Sequence, residues 1–464
     1  MTFLNRLQNN GNNLNYIYFK LKFLGIDIGI LDEYQDVLLK INSNSNRFNL
    51  VKVLLEQGVN HSSYNWDEIF HTVMFQDMER LQKVITIENI NLRDERERTP
   101  FLLAVEIGSL EKAKLLYENG ADPFLLSEGE KSALIDAVEN NDVQMLKWLL
   151  SLGLEIDVDS YFLGTPIHLA SEINSIESVE FLLSKNAKIE YSREYYSEGL
   201  EENTTSTYKA VNNAFNLKMA RIFLAYGAEL KDISYKARDE LLQIEKRELE
   251  TKVEVYHQQK KRVFGRANPE LTNHQFWLDM IASGVVSYTP RAKYNDIDCP
   301  HPIWSYERYG RTITELKDGR IIEIGGEHED YYDEDFMIYN DVVVYNRDKS
   351  IDIYSYPKEI FPPIDFHTAT LVDDNIYIIG SLGYIENRED ITPIYCLSIN
   401  NFSIKKIVTT NHIGWISDHS SKHIDNTIVV TNGSIWDNEK LDLVQNNQTF
   451  ILDLKNLSWK KKSL

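Results

Sequence analysis

The sequence predicts an α+β chain of several domains, with a helical solenoid in the N-terminal half and an all-β domain in the C-terminal part. Three observations predict it. Two-helix units end on Gly120, Gly153 and Asn186, about 33 residues apart. Beyond Pro269 the pattern changes to short strands with Asp/Asn turns, and strand pairs end on Gly326, Gly380 and Gly433. A chain of 464 residues also exceeds what one compact core organises, so two or three structural units are expected.

The clearest helical unit is "RTPFLLAVEIGSLEKAKLLYENGADP", residues 98–123. The Thr99 hydroxyl suits an N-cap, and Pro100 is tolerated at the first helical position. Ala104 is small where two helices approach closely, and Gly108 ends the first helix. Leu110, Ala113, Leu115 and Leu116 make the apolar face of the second helix, which Gly120 ends. "SALIDAVENNDVQMLKWLLSLGLEID" (132–157) and "GTPIHLASEINSIESVEFLLSKNAKIE" (164–190) repeat the pattern. These units resemble the ankyrin repeat, down to its Thr-Pro and Gly-Ala-Asp signatures and the Thr165-Pro166-x-His168 run.

Worn copies extend the resemblance: "FNLVKVLLEQGVN" (48–60), "WDEIFHTVMFQDMERLQKVI" (66–85) and "LKMARIFLAYGAEL" (217–230). About six units are expected over residues 30–232, degenerate at the ends, where repeats must face water. The resemblance implies that His168 is structural, bonding backbone between neighbouring loops. Between Asn186 and Gly227 the step is longer, and the excess falls in "YSREYYSEGLEENTTST" (191–207). Ankyrin repeats carry a protruding finger at this place. Its Tyr191, Tyr195, Tyr196 and Glu198 are expected either to form a small local cluster or to anchor a partner. The second reading is preferred, because Tyr is favoured at interface centres and an extended finger has little core to support.

The solenoid is expected to occupy residues 1–232 and to be followed by a helical cap or connector, 233–300. In "YKARDELLQIEKRELETKVEVYHQQKKR" (235–262), Leu242, Leu249, Val253 and Tyr256 make one helical stripe. Its basic end suits a helix C-terminus and requires no nucleic acid. "NHQFWLDMIASG" (273–284) reads as a short helix.

Residues 301–464 are expected to form the β-domain. Strand, turn, strand and glycine recur in "RTITELKDGRIIEIGG" (311–326), "HTATLVDDNIYIIGSLG" (367–383) and "HSSKHIDNTIVVTNG" (419–433). The expected turns are Asp318-Gly319, Asp374-Asn375 and Asp425-Asn426. A second strand pair follows in each unit, in 341–354, 392–407 and 448–461. The units resemble kelch repeats of four strands per blade, with Trp459 where the family places a Trp. Three blades are fewer than the four to eight that usually close a propeller, so a partial propeller is expected.

Composition narrows the function. A net charge of -22 disfavours nucleic acid and anionic membranes, and it serves either the capture of a basic protein partner or simply solubility. Two cysteines, Cys299 and Cys396, without metal-ligand spacing argue against a disulfide framework or zinc site. No signal peptide or spanning segment is expected, so a cytoplasmic location is the simplest.

One acidic burst, "EHEDYYDEDF" (327–336), follows Gly325-Gly326. It lacks the glycine and terminal Glu of an EF-hand and has no accompanying nucleophile or base. A loop between the second and third strands of its blade is expected, either simply solvated or binding a basic partner. The partner-binding candidates there are Glu327, Glu329, Asp330, Tyr331, Tyr332, Asp333, Glu334 and Asp335. Cys396 beside Tyr395 resembles the copper-radical pair of galactose-oxidase-type propellers, but that site draws on several blades of a closed ring.

No catalytic, cofactor-binding or metal-binding motif is found, so no cofactor is expected. The family resemblances imply a non-enzymatic protein-binding function. Its most concrete form is a cytosolic immunity protein that neutralises a basic toxin. The alternatives are a general scaffold or adaptor, and an enzyme with a pocket between the two domains.

Overall fold

The computed structural model describes residues 66–197, 202–330 and 333–462, except the side chains of 195–197, 202–204, 329–330 and 333–335. The chain divides after Ala228 into two compact units. The expected unit at 48–60 lies outside the described residues.

In the first unit, antiparallel helices follow one another in pairs: α1 (Glu68–Phe75) and α2 (Met78–Val84), α3 (Pro100–Glu106) and α4 (Leu110–Glu118), α5 (Ala133–Glu139) and α6 (Val143–Ser151), α7 (Pro166–Glu172) and α8 (Ile176–Ser184). Local chemistry sets their ends. The Thr99 hydroxyl accepts the Leu102 N–H, and Pro100 opens α3. Asp142 caps α6 by accepting the Met145 N–H. Gly120, Gly153 and Asn186 terminate the outer helices with left-handed backbone. Phe101, Leu103, Leu134, Leu146, Leu149, Leu169 and Leu182 form the core between successive pairs.

The last copy departs from the pattern. Its first helix is reduced to a 3-10 turn at Ala210–Asn213, followed by α9 (Leu217–Ala225). The Ser171 hydroxyl donates to the Ala210 carbonyl at 2.8 Å, so a side chain of the preceding repeat holds the shortened turn. The long insertion is a β-hairpin of β1 (Glu190–Ser197) and β2 (Glu202–Lys209), in register from Glu190 opposite Lys209.

The second unit opens with α10 (Tyr235–Leu242) and α11 (Val253–Gln259), which correct the single helix expected over 235–262. Gln243 turns left-handed at φ 51° and ends α10. The segment after it forms no regular element, because its backbone is taken up elsewhere. The Arg247 N–H donates to the Ala282 carbonyl, and the Tyr294 hydroxyl donates to the Thr251 carbonyl. These partners come from α12 (Gln275–Ser283) and the end of α13 (Tyr288–Lys293), which follow the short strand β3 (Glu270–Leu271). Residues 233–300 thus pack inside the second unit, with Trp277 stacked on Trp304 at 5.0 Å.

Three antiparallel meanders follow. The first is β4 (Thr312–Glu315), β5 (Ile321–Ile324), β8 (Val342–Tyr345) and β9 (Ile351–Ser355), with β3 added beyond β9. Between β5 and β8 lies a separate hairpin, β6 (Glu327–Asp330) and β7 (Asp333–Ile338). The second meander is β10 (Thr368–Val372), β11 (Asn375–Ile379), β12 (Ile394–Ser398) and β13 (Ile404–Lys406). The third is β15 (Ser420–Ile424), β16 (Thr427–Thr431), β19 (Phe450–Asp453) and β20 (Ser458–Lys461). A three-stranded sheet of β14 (Ile416–Ser417), β17 (Ser434–Asp437) and β18 (Asp442–Gln445) completes the described strands. The C-terminal region is therefore β-rich in several sheets, and none of the described sheets closes into a barrel or propeller.

The sheets pack face to face. Ile376 and Ile378 of β11 join Ile322, Ile324, Val342 and Val344 in one core, whereas Ile379 joins Ile428, Val430, Leu452 and Trp459 in the next. The middle sheet is buried on both faces, which explains the nearly continuous apolar run "NIYIIG". Two turns differ from expectation by a residue. The Leu316 N–H donates to the Arg320 carbonyl, so residues 317–319 make the first turn rather than Asp318-Gly319 alone. Val372 opposes Asn375, so Asp373-Asp374 makes the turn, with Asp373 at φ 51°.

Candidate partner-binding surface

Two finger-like turns project between helix pairs of the first unit, and they are bonded to one another. The 127–131 turn closes through a Ser127–Lys131 bridge, and the 160–164 turn through a Ser160–Gly164 bridge. The Tyr161 N–H donates to the Gly129 carbonyl at 3.2 Å, as does the Ser160 hydroxyl at 3.1 Å. Beyond them stands the β1–β2 hairpin, which would be marginal alone. Arg193 ties it down. Its guanidinium forks onto the Asp159 carboxylate and also donates to the Tyr161 and Ser160 carbonyls.

Tyr191 and Tyr208 stack across the hairpin at 5.0 Å, and Tyr191 meets the His168 ring edge-on at 4.6 Å. His168 Nδ1 lies 2.7 Å from the Thr165 hydroxyl, and Nε2 lies 3.2 Å from the Tyr208 carbonyl. Burial lowers its pKa, so the ring is a neutral structural link between fingers. Gly164 has left-handed backbone at φ 68°, which Arg98 and Lys131 at the matching positions do not share, and a Cβ there would also lie 2.9 Å from the Tyr191 hydroxyl.

Tyr191 is therefore a half-buried pillar rather than a free anchor. The exposed aromatics are ones that the sequence reading passed over. Tyr161 and Phe162 are 61% and 79% exposed, and their rings meet edge-on at 4.7 Å. The Phe162 ring also lies against Gly129. The available signal was an aromatic pair in a finger turn, outside any helix that could bury it. Exposed carboxylates of Glu128 and Glu130 flank Gly129 and so accompany this patch. Tyr195 and Tyr196 lie in β1, with side chains outside the description, and Glu198 lies outside the described residues.

The acidic burst of the second unit is a hairpin, which corrects the expected loop. Glu327 anchors its base by exchanging backbone hydrogen bonds with Tyr309 at 2.8 Å. His328 points inward, with Nδ1 2.9 Å from the Glu307 carbonyl and Nε2 3.2 Å from the Ser287 hydroxyl. Glu329, Asp330, Asp333, Glu334 and Asp335 belong to its two strands, and Tyr331 and Tyr332 lie outside the described residues. Phe336 is part-exposed and meets Tyr384 edge-on at 5.7 Å. Next to the hairpin base, burial raises the Asp365 carboxyl, against hydrogen bonds from the Gly383 N–H and the Ser381 hydroxyl.

Among the described residues, no group of three or more His, Cys, Asp or Glu side chains is placed to hold a metal ion. No described helix is long and apolar enough to cross a membrane. Cys299 and Cys396 are free thiols, and Cys396 sits in β12 opposite Tyr377.

Comparison with known proteins agrees with the helical architecture. Residues 10–160 and 134–234 match the model for ankyrin repeats, in three copies. The chain is 36% identical over 109 residues to Protein glp-1 of Caenorhabditis elegans, covering 22% of this chain and 8% of that protein. It is 25% identical over 133 residues to an ankyrin repeat protein of Rickettsia felis, covering 28% of this chain and 43% of that one. The match to human transient receptor potential cation channel subfamily A member 1 is 28% over 112 residues, covering 24% and 10%. The chain thus spans less than half the length of each of these relatives. The crystal structure of the human ASB11 ankyrin repeat domain matches 46% of this chain and 89% of that chain, at 21% identity and a TM-score of 0.30. The N-terminal part of the chain carries ankyrin repeats.

Proposed function

We propose that the chain is a non-enzymatic binding protein that holds a basic protein partner on the finger surface of its ankyrin unit. Ankyrin repeats imply a protein-interaction scaffold. The observation that supports the finer reading is the exposed Tyr161–Phe162 pair accompanied by Glu128 and Glu130, which flank the Gly129 that Phe162 lies against. Rigid aromatics suit the centre of an interface, and unpaired carboxylates select and steer a cationic partner. The net charge of -22 acts in the same direction over longer range.

A neutralising, immunity-type role toward a basic toxin in the cytoplasm is the narrowest form of this reading, and only the charge supports it. The three meanders of the second unit are read as kelch-like blades, with the acidic hairpin at 327–338 as a second contact surface. The test is a pull-down at low and then high salt, with the wild type and with Tyr161→Ala/Phe162→Ala. One basic protein retained at low salt, and lost in the double variant with unchanged melting temperature, supports the reading. Retention undiminished by the double variant but lost on charge reversal of Asp330, Asp333 and Asp335 moves the surface to the hairpin. Retention indifferent to both overturns it.

A further inference from the structure

We propose that the second unit binds a small neutral polyhydroxylated molecule, of monosaccharide size, in a cavity where the first strands of its three meanders meet. The cavity measures about 180 Å³, well beyond the room one water needs. Thr312 comes from β4, Thr368 from β10 and Ser421 from β15, so each meander contributes a hydroxyl residue to one wall. Lys231 and Glu229 stand at the same cavity, 3.2 Å apart as an ion pair. Leu230, Ile313 and Ala369 add aliphatic surface. All of these residues belong to the second unit.

The histidines behind the wall decide what the hydroxyls can do. His367 Nε2 lies 2.9 Å from the Thr312 hydroxyl oxygen, and His419 Nε2 lies 2.9 Å from that of Thr368. Both rings are buried, and their Nδ1 atoms have no hydrogen-bond partner. Burial first, then the neighbouring His419 for His367 and the positive charge of Lys231 for both, hold the rings neutral. A neutral ring carries one proton. Placing it on Nδ1 would strand a buried donor, whereas placing it on Nε2 strands only a bare acceptor, which proteins tolerate better. Each Nε2–H then donates to its threonine, and the hydroxyl proton of that threonine is left for another acceptor.

The wall therefore offers two threonine O–H donors and the Lys231 ammonium, with Glu229 and the hydroxyl oxygens as acceptors. The ion pair leaves no net charge, which disfavours a lone carboxylate, phosphate or amine. Alternating donors, acceptors and aliphatic patches complement a molecule whose hydroxyls alternate with C–H surface. Of the two histidines, His367 also reaches the cavity lining, and its Nδ1 is a buried nitrogen without a hydrogen-bond partner.

The test is calorimetric titration of the full chain with glucose, galactose and glycerol, and with acetate and ammonium as charged controls. Saturable binding of a sugar is expected, weakened about tenfold or more by Thr312→Val or Thr368→Val. These substitutions keep side-chain shape, and thermal melting of each variant checks its fold. Lys231→Met serves as the second variant should either valine variant unfold. Absence of saturation up to about 100 mM of every hydroxylated probe overturns the proposal. So does binding of acetate in preference to the sugars, or sugar binding that all folded variants retain in full.

Discussion

Asn411 binds both backbone groups of Trp459: its Oδ1 accepts the Trp459 N–H, and its Nδ2 donates to the Trp459 carbonyl, each at 2.7 Å. Trp459 lies on β20, the outer strand of the third meander. The side-chain amide copies the bonding of one further strand residue, which blunts an edge that would otherwise invite pairing with another chain. Asn268 does the same for Ile404 on β13, at 2.7 and 2.9 Å. Asn411→Ala removes two part-buried hydrogen bonds and is expected to cost roughly 1–3 kcal/mol. Urea denaturation measures the loss, and light scattering after partial heating is expected to rise in the variant.

Gly433 and Gly120 both have left-handed backbone but differ in what surrounds them. A Cβ at Gly433 would lie 2.4 Å from the Ser417 carbonyl oxygen and 2.7 Å from the His419 Cα, both backbone atoms. A Cβ at Gly120 would meet nothing within 4 Å. Gly120→Ala is expected to cost about 1 kcal/mol, from backbone strain alone. Gly433→Ala adds a collision that only backbone movement relieves, so a loss above about 3 kcal/mol is expected. Thermal melting of the two variants side by side checks the order.

His367 and His419 give the second unit a defined acid sensitivity. Burial pushes both imidazoles down to about 3, far below the unfolded value near 6.5. The unfolded chain therefore binds more protons than the folded chain between these values. The stability they contribute is present above pH ~6.5 and is lost as pH falls toward ~3. Melting temperature followed from pH 7 to pH 4 is expected to fall, and the double variant His367→Gln/His419→Gln is expected to show a shallower slope.

Arg98 holds two carboxylates in the interior of the first unit. It lies 2.6 Å from Asp94 and 2.9 Å from Glu106, with all three side chains at most 4% exposed. Arg98→Met leaves both carboxylates short of their cation, and a loss of about 3–5 kcal/mol is expected. Lys131 pairs with Asp136 and Glu139 one repeat later, where burial pushes Asp136 up to about 7. Adding Glu106→Gln to Arg98→Met is expected to recover part of the loss in a denaturation series.

The sequence by itself determined the elements whose causes are local. Thr99-Pro100, Gly120, Gly153 and Asn186 start and stop helices through capping and left-handed backbone, so three helix pairs and their step were legible. The strand–turn–strand units were legible for the same reason, since period-two patterning and Asp turns act over a few residues. Tertiary structure alone decided the rest. The 244–252 segment has helical composition, but its carbonyls and N–H groups bond to residues about 30–45 positions away, and no local pattern encodes that competition. Tyr191 and Phe162 look alike as aromatics in finger loops, yet stacking on Tyr208 and His168 holds the first while the second stays exposed. The cavity at Thr312, Thr368 and Ser421 has the same origin, because three residues about 50 positions apart meet only when their sheets pack.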